Sequence, residues 1–190
     1  MATVTYTFAG IVNPSSTHLG WSYRDANLPP SAGGLLTDPA YLLTDGNYAN
    51  IAVSDGTSAV LWTNAPDNHW LFQFDWLITV DRATVTRIDI SCKAKGTAEV
   101  TNGWNLYIRN NTTPAWELVD QCPDDLEDTL IGAVTANILD YITADGHIYV
   151  LAEQIGVPGE ESNSMLEVDM TSCQLNYTPV SGFVNAGCVG

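Results

Sequence analysis

Basic residues are scarce in this chain. Six Lys and Arg stand against 22 Asp and Glu, a formal net charge of −16. A surface of that sign does not gather phosphates, so nucleic acid is not an expected partner. No run of about 18 apolar residues occurs, and no helical membrane span is expected. The four cysteines, Cys92, Cys122, Cys173 and Cys188, lack a CxxC spacing, which argues against a zinc site and leaves any disulfide pairing open. GxSxG, HExxH and glycine-rich phosphate loops are all missing, and the three histidines, His18, His69 and His147, are isolated from one another. A catalytic constellation is therefore not expected. The opening MATVTYTFAG has no basic stretch and no long apolar one, so it reads as a strand over Thr3 to Phe8 and not as a secretion signal.

What is present is apolar patterning. Such residues make up 45% of the chain, enough to bury a sizeable core. In His69 to Ile78, HWLFQFDWLI, the side chains of Trp70, Phe72, Phe74, Trp76 and Ile78 fall on every second residue. That is a strand with one apolar face. The opposite phase, His69, Leu71, Gln73, Asp75 and Leu77, is mixed and suits a face partly open to solvent or to a partner. An antiparallel sheet fits this alternation.

Along the chain, strands are expected at Thr3 to Phe8, Gly20 to Tyr23, Tyr48 to Val53, Ala59 to Thr63 and Val85 to Cys92. Further strands follow at Trp104 to Asn110, Trp116 to Val119, His147 to Glu153 and Met165 to Tyr177. Asp45-Gly46 and Asp55-Gly56 read as turns around Tyr48 to Val53, and Asn102-Gly103 as a hairpin turn before Trp104. The spacing of Val134, Ile138 and Tyr141 predicts a short helix over 134–142. The inward phase of the last strand switches from Leu166, Val168 and Met170 to Cys173, Leu175 and Tyr177, which predicts a β-bulge near Thr171-Ser172. About ten strands with almost no helix imply an all-β, two-sheet antiparallel β-sandwich of jelly-roll type. A single sandwich over 1–178, a long loop at 27–38 and a C-terminal arm at 179–190 complete the expected organisation.

The pieces GWSYRD, YANIAVSDG, LFQFDW, VTRIDISCKAKG, WNLYIRNNTTPAWELVD and ANILDYITADGHIYVLA, spread from Trp21 to Tyr177, resemble jelly-roll domains. Such galactose-binding-like sandwiches occur in carbohydrate-binding modules and in surface proteins of microbes and their viruses. The resemblance implies fold more than function. Where such domains bind sugar, aromatic platforms and often a structural Ca²⁺ carry the binding.

Three groups are candidates for contacts. Asp124, Asp125, Glu127 and Asp128 offer hard oxygen ligands suited to Ca²⁺, against the plain reading of a hydrated acidic loop. Trp21, Tyr23, Trp62 and Tyr107 would stack on sugar rings from an exposed face, against burial in the sandwich. Pro29, Pro30, Leu35, Leu36, Phe183 and Val184 would make assembly contacts. An acidic chain rich in Ser, Thr and Asn, with no secretion signal expected, suggests a non-enzymatic virion protein of head-decoration or fibre type. It would sit on the virion surface and bind a capsid shell protein and its own copies, a homo-oligomer such as a trimer. The alternative is a secreted carbohydrate-binding or adhesive module of a microbial surface protein. No cofactor is expected beyond the structural Ca²⁺.

Overall fold

The computed structural model describes residues 1–12, 15, 17–25, 34–63, 69–98, 102–155 and 164–179, without the side chains of 24, 25, 62, 63 and 69. In chain order the elements are β1 (Ala2–Thr7), β2 (His18–Asp25), α1 (Asp45–Asn50), β3 (Ala59–Thr63), β4 (His69–Leu77) and β5 (Val85–Thr97). They continue as β6 (Trp104–Asn110), β7 (Ala115–Cys122), β8 (Asp128–Val134), β9 (His147–Gln154) and β10 (Ser164–Tyr177). One sheet runs β1-β10-β5-β8, with β3 also on β10; the other runs β2-β4-β9-β6-β7. Every pairing is antiparallel. The result is a β-sandwich of jelly-roll type. No described helix is long and apolar enough to cross a membrane.

Among the described residues the chain changes sheet at almost every connection, and only β6 and β7 are consecutive strands paired with each other. That hairpin was legible, and Asn110 closes it, its Oδ1 accepting from the amides of Thr112 and Thr113 at 3.0 and 3.1 Å. The hairpin expected at Asn102-Gly103 is corrected: β5 and β6 lie in different sheets, and the chain arches between them. Gly103 adopts a φ of +112° and its amide reaches the Gly96 carbonyl at 2.9 Å. A Cβ on Gly96 would strike the backbone carbonyl of Gly103, so the arch closes only with glycine there.

β4 seeds the core as its alternation predicts. Phe72, Phe74 and Trp76 are fully buried, the first two stacked and the third tilted against Phe74, and they meet Phe8, Ile148, Val150 and Ala152 among others. Burying each such ring contributes about 1.5–3 kcal/mol or more. β5 buries Ile88, Ile90 and Cys92 as its alternation predicts.

Two helix readings are corrected. Tyr48 to Val53 is not a strand, because the Thr44 hydroxyl accepts from the Asn47 amide and caps α1. The Tyr48 ring, fully buried, stacks on Phe8 at 5.4 Å and its hydroxyl accepts from the Gly20 amide at 3.0 Å, plugging one end of the sandwich. Over 134–142 the chain holds only the end of β8 and a single 3₁₀ turn, Ile138–Asp140, entered through Asn137 at a φ of +50°. The β-bulge of β10 exists but lies between Val168 and Met170, two to three residues before the expected place. Asp169 is the inserted residue, and it is buried.

Cys92, Cys122 and Cys173 are free thiols. Cys92 and Cys173 sit inside the apolar core, where burial pushes their pKa values far up and keeps them inert. Cys188 lies outside the described residues.

Candidate functional site

The second sheet turns one face to the core and the other outward. The outward side chains are Leu19, Trp21 and Tyr23 on β2, Leu71, Gln73 and Asp75 on β4, and His147, Tyr149, Leu151 and Glu153 on β9. β6 adds Asn105, Tyr107 and Arg109. Strand register sets these in rows: Tyr23, Leu71, Glu153 and Asn105 in one, Trp21, Gln73, Leu151 and Tyr107 in the next, Leu19, Asp75 and Tyr149 in the third. The mixed phase of HWLFQFDWLI is thus the centre of an outer face built from four strands distant in sequence.

An outward face would ordinarily be wet, yet Leu71, Gln73, Asp75, Leu151 and Glu153 are all under 5% exposed. A strap, 34–36, lies across them. Gln73 Oε1 accepts from the Leu36 amide at 2.9 Å and Gln73 Nε2 donates to the Leu36 carbonyl at 3.1 Å. Trp116 of β7 donates its indole N–H to the Gly34 carbonyl at 3.4 Å. Leu35 and Leu36 pack on the cluster of Leu71, Tyr107, Trp116 and Leu151. Expected to meet a neighbouring protein, these two leucines cover their own sheet.

The charged groups on this face have distinct settings. His147 Nδ1 lies 2.7 Å from Asp75 Oδ1. Burial drives the Asp75 carboxyl up to about 6, although its hydrogen bond to His147 opposes the shift. The Tyr149 ring stacks on His147 at 6.0 Å, and burial with the nearby Asp75 and Asp145 raises its hydroxyl to about 12. Tyr107 accepts from Asn105 Nδ2 at 3.0 Å, and burial beside Glu153 raises its pKa strongly. Arg109 places its guanidinium carbon 5.8 Å from the centre of the Trp116 ring.

At the β2 edge, where β3 of the first sheet comes near, a groove of about 390 Å³ is lined by Ser22, Tyr23, Tyr41, Leu42, Leu61 and Trp70. Asp38 caps a 3₁₀ turn, Pro39–Tyr41, through the Ala40 amide at 2.9 Å, and that turn projects Tyr41 edge-on to Tyr23 with centroids 4.9 Å apart. Tyr41 is 40% exposed, so its ring is open to a ligand. Trp70 is half-buried beside it. This is a concave, aromatic-lined opening of the size that small ligands use.

Of the three expected stacking residues whose side chains are described, Tyr23 alone lines this groove. Trp21 and Tyr107 are 6% and 7% exposed, covered on the outer face, and the side chain of Trp62 lies outside the described residues. Tyr41 and Trp70 were missed: Tyr41 sits outside any strand pattern, and Trp70 carries the inward phase of β4 but stands one residue from its start. The acidic residues are not brought together. Asp124 Oδ1 accepts from the Leu126 amide and from the Cys122 thiol, Glu127 pairs with Lys93, and Asp128 Oδ1 accepts from the Thr129 amide. Among the described residues no group of three or more His, Cys, Asp or Glu is arranged to hold a metal ion. Pro29, Pro30, Phe183 and Val184 lie outside the described residues.

No curated protein matches the chain. Among solved structures it is similar to a xylan-binding module, CBM15, with a TM-score of 0.44 and 10% identity over 94% of this chain and 100% of that one. It is also similar to the CBM22-1 xylan-binding domain of a Paenibacillus barcinonensis protein, with a TM-score of 0.34 and 12% identity over 67% of this chain and 86% of that one. A family 11 carbohydrate-binding module from Clostridium thermocellum gives a TM-score of 0.33 and 9% identity over 93% of this chain and 89% of that one. Residues 20–177, from the start of the outer face on β2 to the end of β10, match the family described as "Uncharacterized protein, C-terminal domain", and the chain belongs to that family.

Proposed function

We propose that the chain is a carbohydrate-binding module that takes a glycan in the groove at the β2 edge of the second sheet. The observation that carries this reading is the triad of rings, Tyr23, Tyr41 and Trp70, lining one open groove of about 390 Å³. Sugars offer apolar C–H faces that stack on aromatic rings, and hydroxyls that bond to polar groups at the ring edges. Here the Tyr23 and Tyr41 hydroxyls and Ser22 supply the latter. The work done is adhesion: it needs a platform and no nucleophile. A surface location follows from such a role. Decoration of a capsid finds no comparable support, since the arms it relied on lie largely at 26–33 and 180–190, outside the described residues.

A glycan array followed by calorimetry on the strongest hit tests the proposal. Tyr41→Ala should weaken binding about tenfold, near 1.4 kcal/mol, while leaving the melting temperature within a degree or two. Tyr23→Ala should act in the same direction. Undiminished affinity in both variants, or no glycan bound by the wild type, would sink it.

A further inference from the structure

We infer that the groove at the β2 edge takes the end of a neutral glycan, one sugar residue and part of a second, and that the strap at 34–36 closes the outer face to the middle of a longer chain. The inference rests on the sugar-binding reading and narrows it to short ligands and chain ends.

A polysaccharide bound along its length needs a bare track with several rings in a row. The outer face of the second sheet has the rings but not the track. Gly34 meets Trp116 on β7, Leu36 is held by Gln73 on β4, and β9 and β6 lie between those two strands. Farther on, Leu42 bridges Trp21, and the Leu43 amide donates to the Gly20 carbonyl at 2.8 Å, both partners being on β2. The segment from Gly34 to Leu43 thus passes from one edge strand of the sheet to the other. Along it, Trp21, Tyr107 and Trp116 are no more than 8% exposed. Tyr149 is half-buried and stacks on His147. A glycan laid on this face would first have to break the two Gln73 bonds and lift Leu35 and Leu36 from the apolar cluster beneath them. That cost comes off its affinity.

The groove stays open, and it is short. Ser22 and Trp70 carry the inward phases of β2 and β4, and Leu61 comes from β3 of the first sheet, so the opening lies at the rim between the sheets. Leu61 and Trp70 pack on the main core, which gives the groove a floor. The β2–β4 pairing closes one flank and the Pro39–Tyr41 turn another. A notch so closed seats the end of a chain; an internal residue needs an exit on both sides. Its volume of 390 Å³ is that of about 13 waters in the liquid, at roughly 30 Å³ each. Among the described residues no charged side chain lines it, in a chain with 22 carboxylates, and the polar side chains it offers are the hydroxyls of Ser22, Tyr23 and Tyr41. Hydroxyls match an uncharged sugar, whereas an acidic end would lose hydration there with no cation to replace it.

Calorimetry of the full chain against β-1,4-linked oligomers of glucose, xylose, mannose and galactose, at one, two, four and six residues, tests the inference. At least one series should gain affinity from one residue to two and then stay level, within about twofold, out to six. A soluble polymer of that sugar should bind one copy of the protein per polymer chain, and saturation with the six-residue sugar should leave hydrogen exchange at the Leu36 amide unchanged. Tyr41→Ala should weaken the two- and six-residue sugars by the same factor, about tenfold. If that variant does not fold, the wild-type length series still decides. Affinity that climbs about tenfold or more from two residues to six, several copies bound along one polymer chain, or faster exchange at Leu36 in the complex overturns the inference and leaves the sugar-binding reading standing. So does tighter binding of an acidic glycan than of its carboxyl-reduced form. Binding of none of the four series, alongside another glycan hit on the array, overturns it in the same way; no glycan bound anywhere overturns both.

Discussion

The Gln73 side chain holds both backbone groups of Leu36, accepting from its amide at 2.9 Å and donating to its carbonyl at 3.1 Å, as a neighbouring strand would. A single side-chain amide thus stands in for a ladder rung and fixes the strap that covers the outer face. Gln73 is 1% exposed, so neither bond is replaced by water.

Gln73→Leu keeps the volume and removes the rung. The Leu36 amide and carbonyl then lose their partner, and the expected cost is about 1–3 kcal/mol in urea denaturation. Hydrogen exchange at the Leu36 amide should speed up far more than at core amides such as Phe74. Unchanged protection at Leu36 would show that Trp116 and the leucine packing alone hold the strap.

Asp75 imposes a pH dependence of definite sign. Its folded-state pKa of about 6 lies above the ordinary carboxylate value of 3.8, so the folded protein binds the proton more tightly than the unfolded chain. Its contribution is favourable in acid and is lost as pH rises from about 4 through about 6, up to about 2–3 kcal/mol. Asp75→Asn should flatten that fall. Parallel stability curves for the two proteins across pH 4–7 would refute the assignment.

Period-two strands were readable from residues alone because β5 and β10 bury alternate side chains for much of their length, and in β4 the aromatic residues alternate although both faces are covered. The bulge was readable for the same reason, since an inserted residue inverts the phase. α1 was not: Tyr48 and Ile51, both fully buried, fit a short strand or one helical face, and only the Thr44 cap settles which. The Gly96–Gly103 arch was read as a hairpin because turn residues signal reversal without saying which sheet receives the next strand. Of the site, the mixed phase of β4 foretold an unusual outer face, while its rows depend on pairing among β2, β4, β9 and β6. Tyr41 acquires its meaning only from the Tyr23 ring it meets at the β2 edge.

Two alanine substitutions should part company. In Gly96→Ala the new methyl meets the Gly103 carbonyl and approaches Trp104 Cβ within 3.1 Å, and backbone must move to admit it. A loss of about 3 kcal/mol is expected. Gly46→Ala meets nothing closer than the Thr44 hydroxyl at 3.8 Å and lies exposed in α1, so helix propensity should raise stability by about 0.5–1 kcal/mol. Chemical denaturation of the pair checks the arch: a mild Gly96→Ala would mean the two sheets do not approach there as described.

Asp169, the inserted residue of the β10 bulge, points its carboxylate at a cluster of donors. Lys93 Nζ lies 2.6 Å from Oδ2, the Ser54 hydroxyl 3.1 Å from it, and the Gly56 amide 3.2 Å from Oδ1. Burial alone would raise its pKa, but these bonds outweigh it and hold the carboxyl below the usual range. The stability it supplies is therefore present above the unfolded value near 4 and lost as pH falls through the folded one. Asp169→Ala leaves the Gly56 amide and the lysine without their acceptor and should cost about 3 kcal/mol at pH 7. Asp169→Asn should cost less, since the amide oxygen keeps one acceptor, and both variants should lose the acid-side decline that the wild type shows. The bulge exists to aim this side chain at the 54–56 turn, so chemical shifts of the Ser54 to Gly56 amides should move in either variant. Shifts confined to β10 would mean the turn is held by other contacts.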